Sequence, residues 1–225
     1  MLDSMILYNY FRSSASFRVR IALALKGLPF EYVAVHLAKG EHKLPAYASI
    51  ADDGLVPLLQ TDGESLSQSM AIIEYLDETH PTPALMPADA LGRAKVRALA
   101  QCIACEIHPL NNLRVLKYLV KELKTDEDSK NTWYRHWCNE GLASFERQLA
   151  TLAKARVEHN LPASSYCYGD TPTLADCCLV PQIFNAQRFD VNLDGLPLTM
   201  AAFAACMKLD AFKAAQPSNC PDFEP

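Results

Sequence analysis

With 225 residues, half of them hydrophobic and 21% charged, the chain has the makeup of a folded protein with a real core, and its length allows one large domain or two small ones. Its net charge of -5 leaves no broad basic surface for nucleic acid. No run approaches the roughly 20 apolar residues of a membrane span, and the start Met1-Leu-Asp-Ser-Met5 lacks the basic-then-apolar order of a secretory signal, so the chain is read as soluble and cytoplasmic. In chain order, Met5–Asn9 reads as a short apolar strand. A helical pattern follows, with Phe17, Ile21, Leu23 and Leu25 at spacings near 3.6, closed by Gly27. Glu31–His36 alternates and is rich in strand formers, which makes the opening a βαβ unit.

After a polar loop, Leu55–Leu59 reads as a third strand, although Pro57 cannot donate to a ladder and must lie at an edge, a bulge or the start of pairing. Asp62-Gly63 marks a hairpin turn into a fourth strand at Glu64–Leu66. Ser69 to about Glu78 is a helix with Ile72, Ile73 and Leu76 inward and Ser69 or Ser67 as its cap. Prolines 81, 83 and 87 then break the pattern. Domains are therefore expected at 1–82, an α/β unit, and 90–225, all helical, joined by a linker at 83–89. The helical part breaks near Asn111, Asp126, Asn160 and Pro197, and Thr173-Leu-Ala-Asp176 has the form of a capping box.

The eight cysteines lack the spacing of a secreted disulfide framework and fit a reducing compartment. Cys102-Ile-Ala-Cys105, with His108 nearby, is the one CxxC. A single pair within a helical pattern lacks the second pair that a structural metal needs, so no metal site is assigned.

Several segments carry a resemblance. Tyr10-Phe-Arg-Ser-Ser-Ala-Ser-Phe-Arg-Val-Arg20 closely resembles the signature of the zeta-class glutathione transferases, usually Ser-Ser-Cys-Ser-Trp-Arg-Val-Arg. Gln68-Ser69, Ile107–Arg114, Thr173–Gln182 and Asn185–Phe189 extend the likeness over nearly the whole chain. Ala15 and Phe17 replace the family's cysteine and tryptophan, and Asp52-Asp-Gly-Leu55 departs from its usual loop. The resemblance implies a glutathione transferase fold: an N-terminal thioredoxin-like βαβ-ββα domain that binds glutathione, then an all-helical domain that binds substrate. It also implies a homodimer and glutathione-dependent cis–trans isomerisation of maleylacetoacetate. Isomerisation of maleylpyruvate, conjugation or dehalogenation of α-halo acids, and a non-catalytic interaction module are the alternatives.

On the same resemblance, Ser14 is the first and Ser13 the second choice for the hydroxyl that hydrogen-bonds the glutathione sulfur, with Ser16 beside them. A helix N-terminus favours the thiolate. From spacing alone these serines read first as helix caps, and it is the resemblance that favours the sulfur. Val56-Pro57 is expected to be a cis peptide that turns the Val56 backbone toward the tripeptide, the competing reading being an ordinary edge-strand proline. Gln68 and Ser69 would hold the γ-glutamyl end, or Ser69 would simply cap its helix. His42, His108 and Asn112 are further candidate glutathione contacts. The substrate is expected to be a small dicarboxylic keto acid, for which Arg12, Arg114 and Arg188, with Asn111, are the candidate ligands. His108 can equally be a hydrogen-bonded structural histidine. Arg18 and Arg20 are assigned to packing and salt bridges.

Overall fold

A computed structural model describes residues 5–224. Two compact units divide the chain, the first built from residues up to Leu85 together with those from Met207 onward, the second from Met86–Cys206.

The first unit is a four-stranded sheet with helices. Strands β1 (Ile6–Asn9), β2 (Glu31–Ala34), β3 (Leu58–Thr61) and β4 (Glu64–Ser67) lie in the order β2-β1-β3-β4. The β1–β2 pair is parallel, as a crossover through helix α1 (Ser14–Lys26) requires, while β3 and β4 form an antiparallel hairpin beside β1. Gly27 closes α1 at φ 64°, a left-handed conformation that costs glycine little. Leu7 and Leu59, fully buried on neighbouring strands, join Phe17, Ile21, Ile72, Ile73 and Leu76 in the core.

The third strand begins three residues later than its sequence suggests. Val56-Pro57 is a cis peptide just ahead of it, and pairing starts at Leu58. The loop after β2 contains two short helical turns that its polar composition hid, Glu41–Lys43 and α2 (Pro45–Ala48). Helix α3 spans Ser69–Thr79; its cap position is Gln68, not Ser67 or Ser69 as expected, and that residue makes no side-chain cap bond. Lys26 then fastens the proline-rich segment: its ammonium bonds Asp77 (2.9 Å), the His80 carbonyl (2.7 Å) and the Pro83 carbonyl (2.8 Å). Asp77 Oδ1 also accepts the Leu85 N–H at 2.7 Å, a further bond to the buried pair.

The second unit is helical. Helix α4 (Ala90–Gln101) is capped by Asp89 and runs into a π-helical segment, Cys102–Ile107. Asn112 caps α5 (Leu113–Lys121), Asp126 caps the 32-residue α6 (Glu127–Glu158), and α7 (Leu174–Arg188) and α8 (Pro197–Cys206) follow. The Thr173–Asp176 capping box is present, with the buried Asp176 carboxylate accepting the Thr173 N–H at 2.8 Å and the Cys167 N–H at 2.9 Å. Burial raises the Asp176 carboxyl pKa against those bonds. Residues after Cys206 do not continue this unit, although the sequence reading carried the helical part to 225. Helix α9 (Asp210–Ala214) buries Phe212 and packs on α1, and Cys220 lies in an apolar cluster at the end of the sheet.

Candidate active site

Strand register determines which loops meet. Asn9, the last residue of β1, stands opposite Ala34 of β2, while Tyr8 stands opposite Leu58, the first residue of β3, which itself faces Ser67, the last of β4. One end of the sheet therefore gathers the chain leaving β1 (10–14), the chain leaving β2 (35–43), the cis Val56-Pro57 before β3, and Gln68-Ser69 after β4. The first-unit candidates Arg12, Ser13, Ser14, His42, Val56, Pro57, Gln68 and Ser69 lie in these segments, and Ser16 lies two residues further along α1.

Neighbouring serines have different environments. Ser13 is the cap of α1, with extended backbone (φ -72°, ψ 117°) and a hydroxyl that accepts the Ser16 N–H at 3.2 Å. Ser14 is the first helical residue and is buried. The capping that sequence spacing offered to either serine thus falls to Ser13, which leaves Ser14 outside that bond. Ser16 is fully buried with its hydroxyl oxygen unpartnered among the described residues.

At the α3 end, Gln68 has φ 68° and ψ 110°, a conformation that costs a non-glycine residue about 1–3 kcal/mol and is found where a ligand site exploits it. Its side chain is exposed, and the next residue, Ser69, is buried at the N-terminus of α3. Sequence reasoning missed what stands behind Ser69. The Arg18 guanidinium, only 3% exposed, donates from Nη1 to the Ser69 hydroxyl at 3.3 Å, and its Nε has no partner among the described residues. A buried cation and the helix end therefore both favour an anion there. Among the described residues Arg18 and Arg20 are held by hydrogen bonds and not by the expected salt bridges: Arg20 bonds Asn9 Oδ1 (2.9 Å) and the carbonyls of Tyr10, Phe11 and Ala215. Burial lowers the Arg20 pKa from its ordinary value.

In the second unit, the π-helical segment turns the chain into residues 108–112. Trp133 Nε1 donates to the Leu110 carbonyl (2.9 Å), and Asn111 Nδ2 donates to the Tyr134 carbonyl (3.2 Å), tying that turn to α6. Asn112 is engaged by capping, its oxygen accepting the Arg114 N–H, and its amide stands 3.4 Å from His108 Nε2. Tyr134 stacks on Phe189 at 3.7 Å, and the Arg188 charge acts on Tyr134 against the burial that raises its pKa. Asn111 and Arg188 are thus brought to the same neighbourhood. Arg188 also reaches Asn185 Oδ1 at 3.1 Å. Arg114 is exposed at the start of α5, and Arg12 is exposed in the first unit, its Nη2 on the Glu224 carbonyl at 3.0 Å. Of the CxxC pair, Cys102 is buried against the Gly141 carbonyl and Cys105 is exposed.

A mixed β2-β1-β3-β4 sheet with a cis-proline before its third strand, followed by a helical unit, is the architecture of a thioredoxin-like domain joined to an all-helical one. Residues 3–78 match the glutathione S-transferase N-terminal domain. The chain is 50% identical to a maleylpyruvate isomerase of a Ralstonia species over 97% of its length and 99% of that protein's. It is 46% identical to a probable maleylacetoacetate isomerase of Vibrio cholerae over 97% and 98% of the two chains. Among solved structures, a holo maleylpyruvate isomerase described as a bacterial zeta-class glutathione transferase superposes with a TM-score of 0.92 at 50% identity, covering 97% of this chain and 100% of that one. A maleylacetoacetate isomerase from Anaeromyxobacter dehalogenans with glutathione bound in its active site gives 0.85 at 40% identity, covering 99% of each. The chain belongs to the zeta-class glutathione transferase family.

Proposed function

We propose that this protein is a glutathione-dependent cis–trans isomerase that converts maleylacetoacetate to fumarylacetoacetate. The carrying observation is the convergence at one sheet end of the α1 N-terminus with its two serines, the cis Val56-Pro57 and the Gln68-Ser69 entry to α3. These residues fit glutathione: the α3 N-terminus backed by Arg18 suits a carboxylate, the Val56 backbone ahead of β3 suits strand-like pairing with a peptide, and the α1 N-terminus suits a sulfur anion.

When bound, glutathione supplies a thiolate that adds reversibly to the double bond, so that a rotatable single bond exists until the thiolate leaves again and nothing is consumed. The chain's own residues make that possible. Ser14 donates its hydroxyl proton toward the sulfur and, with the amide dipoles of the first turn of α1, favours the anion over a thiol whose ordinary pKa is about 8.5. Ser13 holds that turn in shape by capping it. Gln68 and Ser69 hold the γ-glutamyl end, with His42, His108 and Asn112 as further contacts. Arg12, Arg114 and Arg188 supply the cations for the two carboxylates of the substrate, and Asn111 a polar contact to its keto group.

A second reading, isomerisation of maleylpyruvate, is favoured by the 50% identity to a maleylpyruvate isomerase and uses the same machinery on a shorter keto chain. A homodimer in the cytoplasm completes the proposal; the eight unbridged cysteines suit a reducing compartment. The test follows the ultraviolet absorbance of each substrate with and without glutathione, while total glutathione is counted at the end. Turnover that requires glutathione without consuming it supports the isomerase. Turnover without glutathione contradicts it, and stoichiometric consumption makes the protein a conjugating transferase.

A further inference from the structure

We propose that the C-terminal residues 220–224 are a splint for the loop that carries Ser13 and Ser14, with Asp222 and Glu224 acting as positioning residues of the isomerase; this rests on the functional reading above. The loop leaving β1 closes on itself through the Ser13 N–H on the Tyr10 carbonyl at 2.9 Å, and further anchors come from residues 220–224. Asp222 Oδ2 accepts the Phe11 N–H at 3.2 Å, and Asp222 Oδ1 accepts the hydroxyl of Tyr32 on β2. The Glu224 carbonyl accepts from Arg12 at 3.0 Å, and its carboxylate is held by Lys39 at 2.6 Å and His36 Nε2 at 3.1 Å. Phe223 packs edge-on against Phe11 with ring centroids 5.6 Å apart.

The tail is itself anchored. Cys220 is 8% exposed in a cluster with Tyr10, Phe11 and Val56, so one side chain supports both the serine loop and the segment before β3. Arg20 bonds the Tyr10 and Phe11 carbonyls on one side and the Ala215 carbonyl on the other. Phe11 is consequently held on both sides of its Cα, its carbonyl by Arg20 and its N–H by Asp222. Ser14 lies three residues further on. A hydroxyl that must meet a sulfur tolerates little displacement, since a misplacement of about 1 Å costs up to roughly a hundredfold in rate.

The experiment compares the intact protein with a chain ending at Pro221, with Asp222→Ala and with Asp222→Asn. Read-outs are kcat, KM for the keto acid, the titration of enzyme-bound glutathione and hydrogen exchange at Phe11. A variant in the second unit, Thr199→Val, which removes a hydroxyl bond to Glu146, is the control, with the unfolding stability of every variant measured alongside. The truncated chain and Asp222→Ala should exchange faster at Phe11 and lose roughly tenfold in kcat, with KM for the keto acid changed less than about twofold and the bound thiol titrating nearer to free glutathione. Asp222→Asn retains an oxygen acceptor for Phe11 and should recover to within roughly threefold. An unchanged kcat and thiol titration in the truncated chain, or an equal loss in Thr199→Val, overturns the splint while leaving the isomerase reading intact. Intact protein that turns over without glutathione overturns both.

Discussion

Ser13 and Ser14 are adjacent and chemically identical, yet the start of α1 gives them different settings. The Ser13 hydroxyl accepts the Ser16 N–H, the bond of a helix cap, while Ser14 sits buried in the first turn. Replacing Ser13 with alanine should therefore cost about 1 kcal/mol in stability, measured by urea unfolding, with activity reduced far less than in Ser14→Ala. Ser14→Ala should leave unfolding within about 0.5 kcal/mol of wild type while glutathione-dependent turnover falls by at least tenfold. Equal effects of the two substitutions on both quantities would contradict this division. The sequence offered the two serines together because a cap and a thiolate donor call for the same residue types. The extended backbone at Ser13 marks it as the cap. Arg18 was legible as a member of the family signature but not as the group behind Ser69, because the two are 51 residues apart and meet only when α1 and α3 pack together. The positive φ of Gln68 left no trace either, since glutamine carries none of the preference for that conformation that glycine or asparagine would have advertised.

At the scale of elements, local chemistry marked most boundaries. Gly27, Asp126, Thr173 and Pro197 end or begin helices where their capping and backbone preferences put them. The π-helical segment 102–107 was hidden because its setting is non-local. An added Cβ at Gly141 on α6 would lie 2.2 Å from Ile107 Cγ1, so glycine there admits the last residue of that segment. Gly141→Ala weighs two opposed terms: alanine gains up to about 1 kcal/mol in helix propensity, but overpacking a buried isoleucine costs about 1–3 kcal/mol. The second should win, with a net loss of about 1–2 kcal/mol in urea unfolding. A stabilised Gly141→Ala would mean that Ile107 moves aside freely. Because Ile107 leads into the turn bearing His108, Asn111 and Asn112, the same variant should also raise KM for both glutathione and the keto acid.

At the scale of the whole molecule, the sequence revealed the two-part architecture but not where its last residues go. Phe11 and Asp222 are 211 positions apart, beyond the reach of any periodicity or spacing argument. Burial makes most of the cysteines inert. Desolvation pushes the Cys138 thiol up to about 11 and raises those of Cys102, Cys167, Cys206 and Cys220, so at pH 8 each is held as the unreactive thiol. Cys105 is the exposed cysteine among the described residues. An aromatic disulfide reagent at pH 8 should accordingly titrate about one thiol per native chain quickly and all eight in denaturant. Several fast thiols in the native protein would contradict this burial pattern.

The account turns on a sulfur anion favoured at the first turn of α1, and the ionisation of enzyme-bound glutathione tests that most directly. Followed by thiolate absorbance across pH, the bound thiol should ionise at least about one unit below its free value of about 8.5 in the wild type, and the shift should largely vanish in Ser14→Ala. A bound thiol that ionises like the free one, or that is unaffected by loss of the Ser14 hydroxyl, would contradict the account.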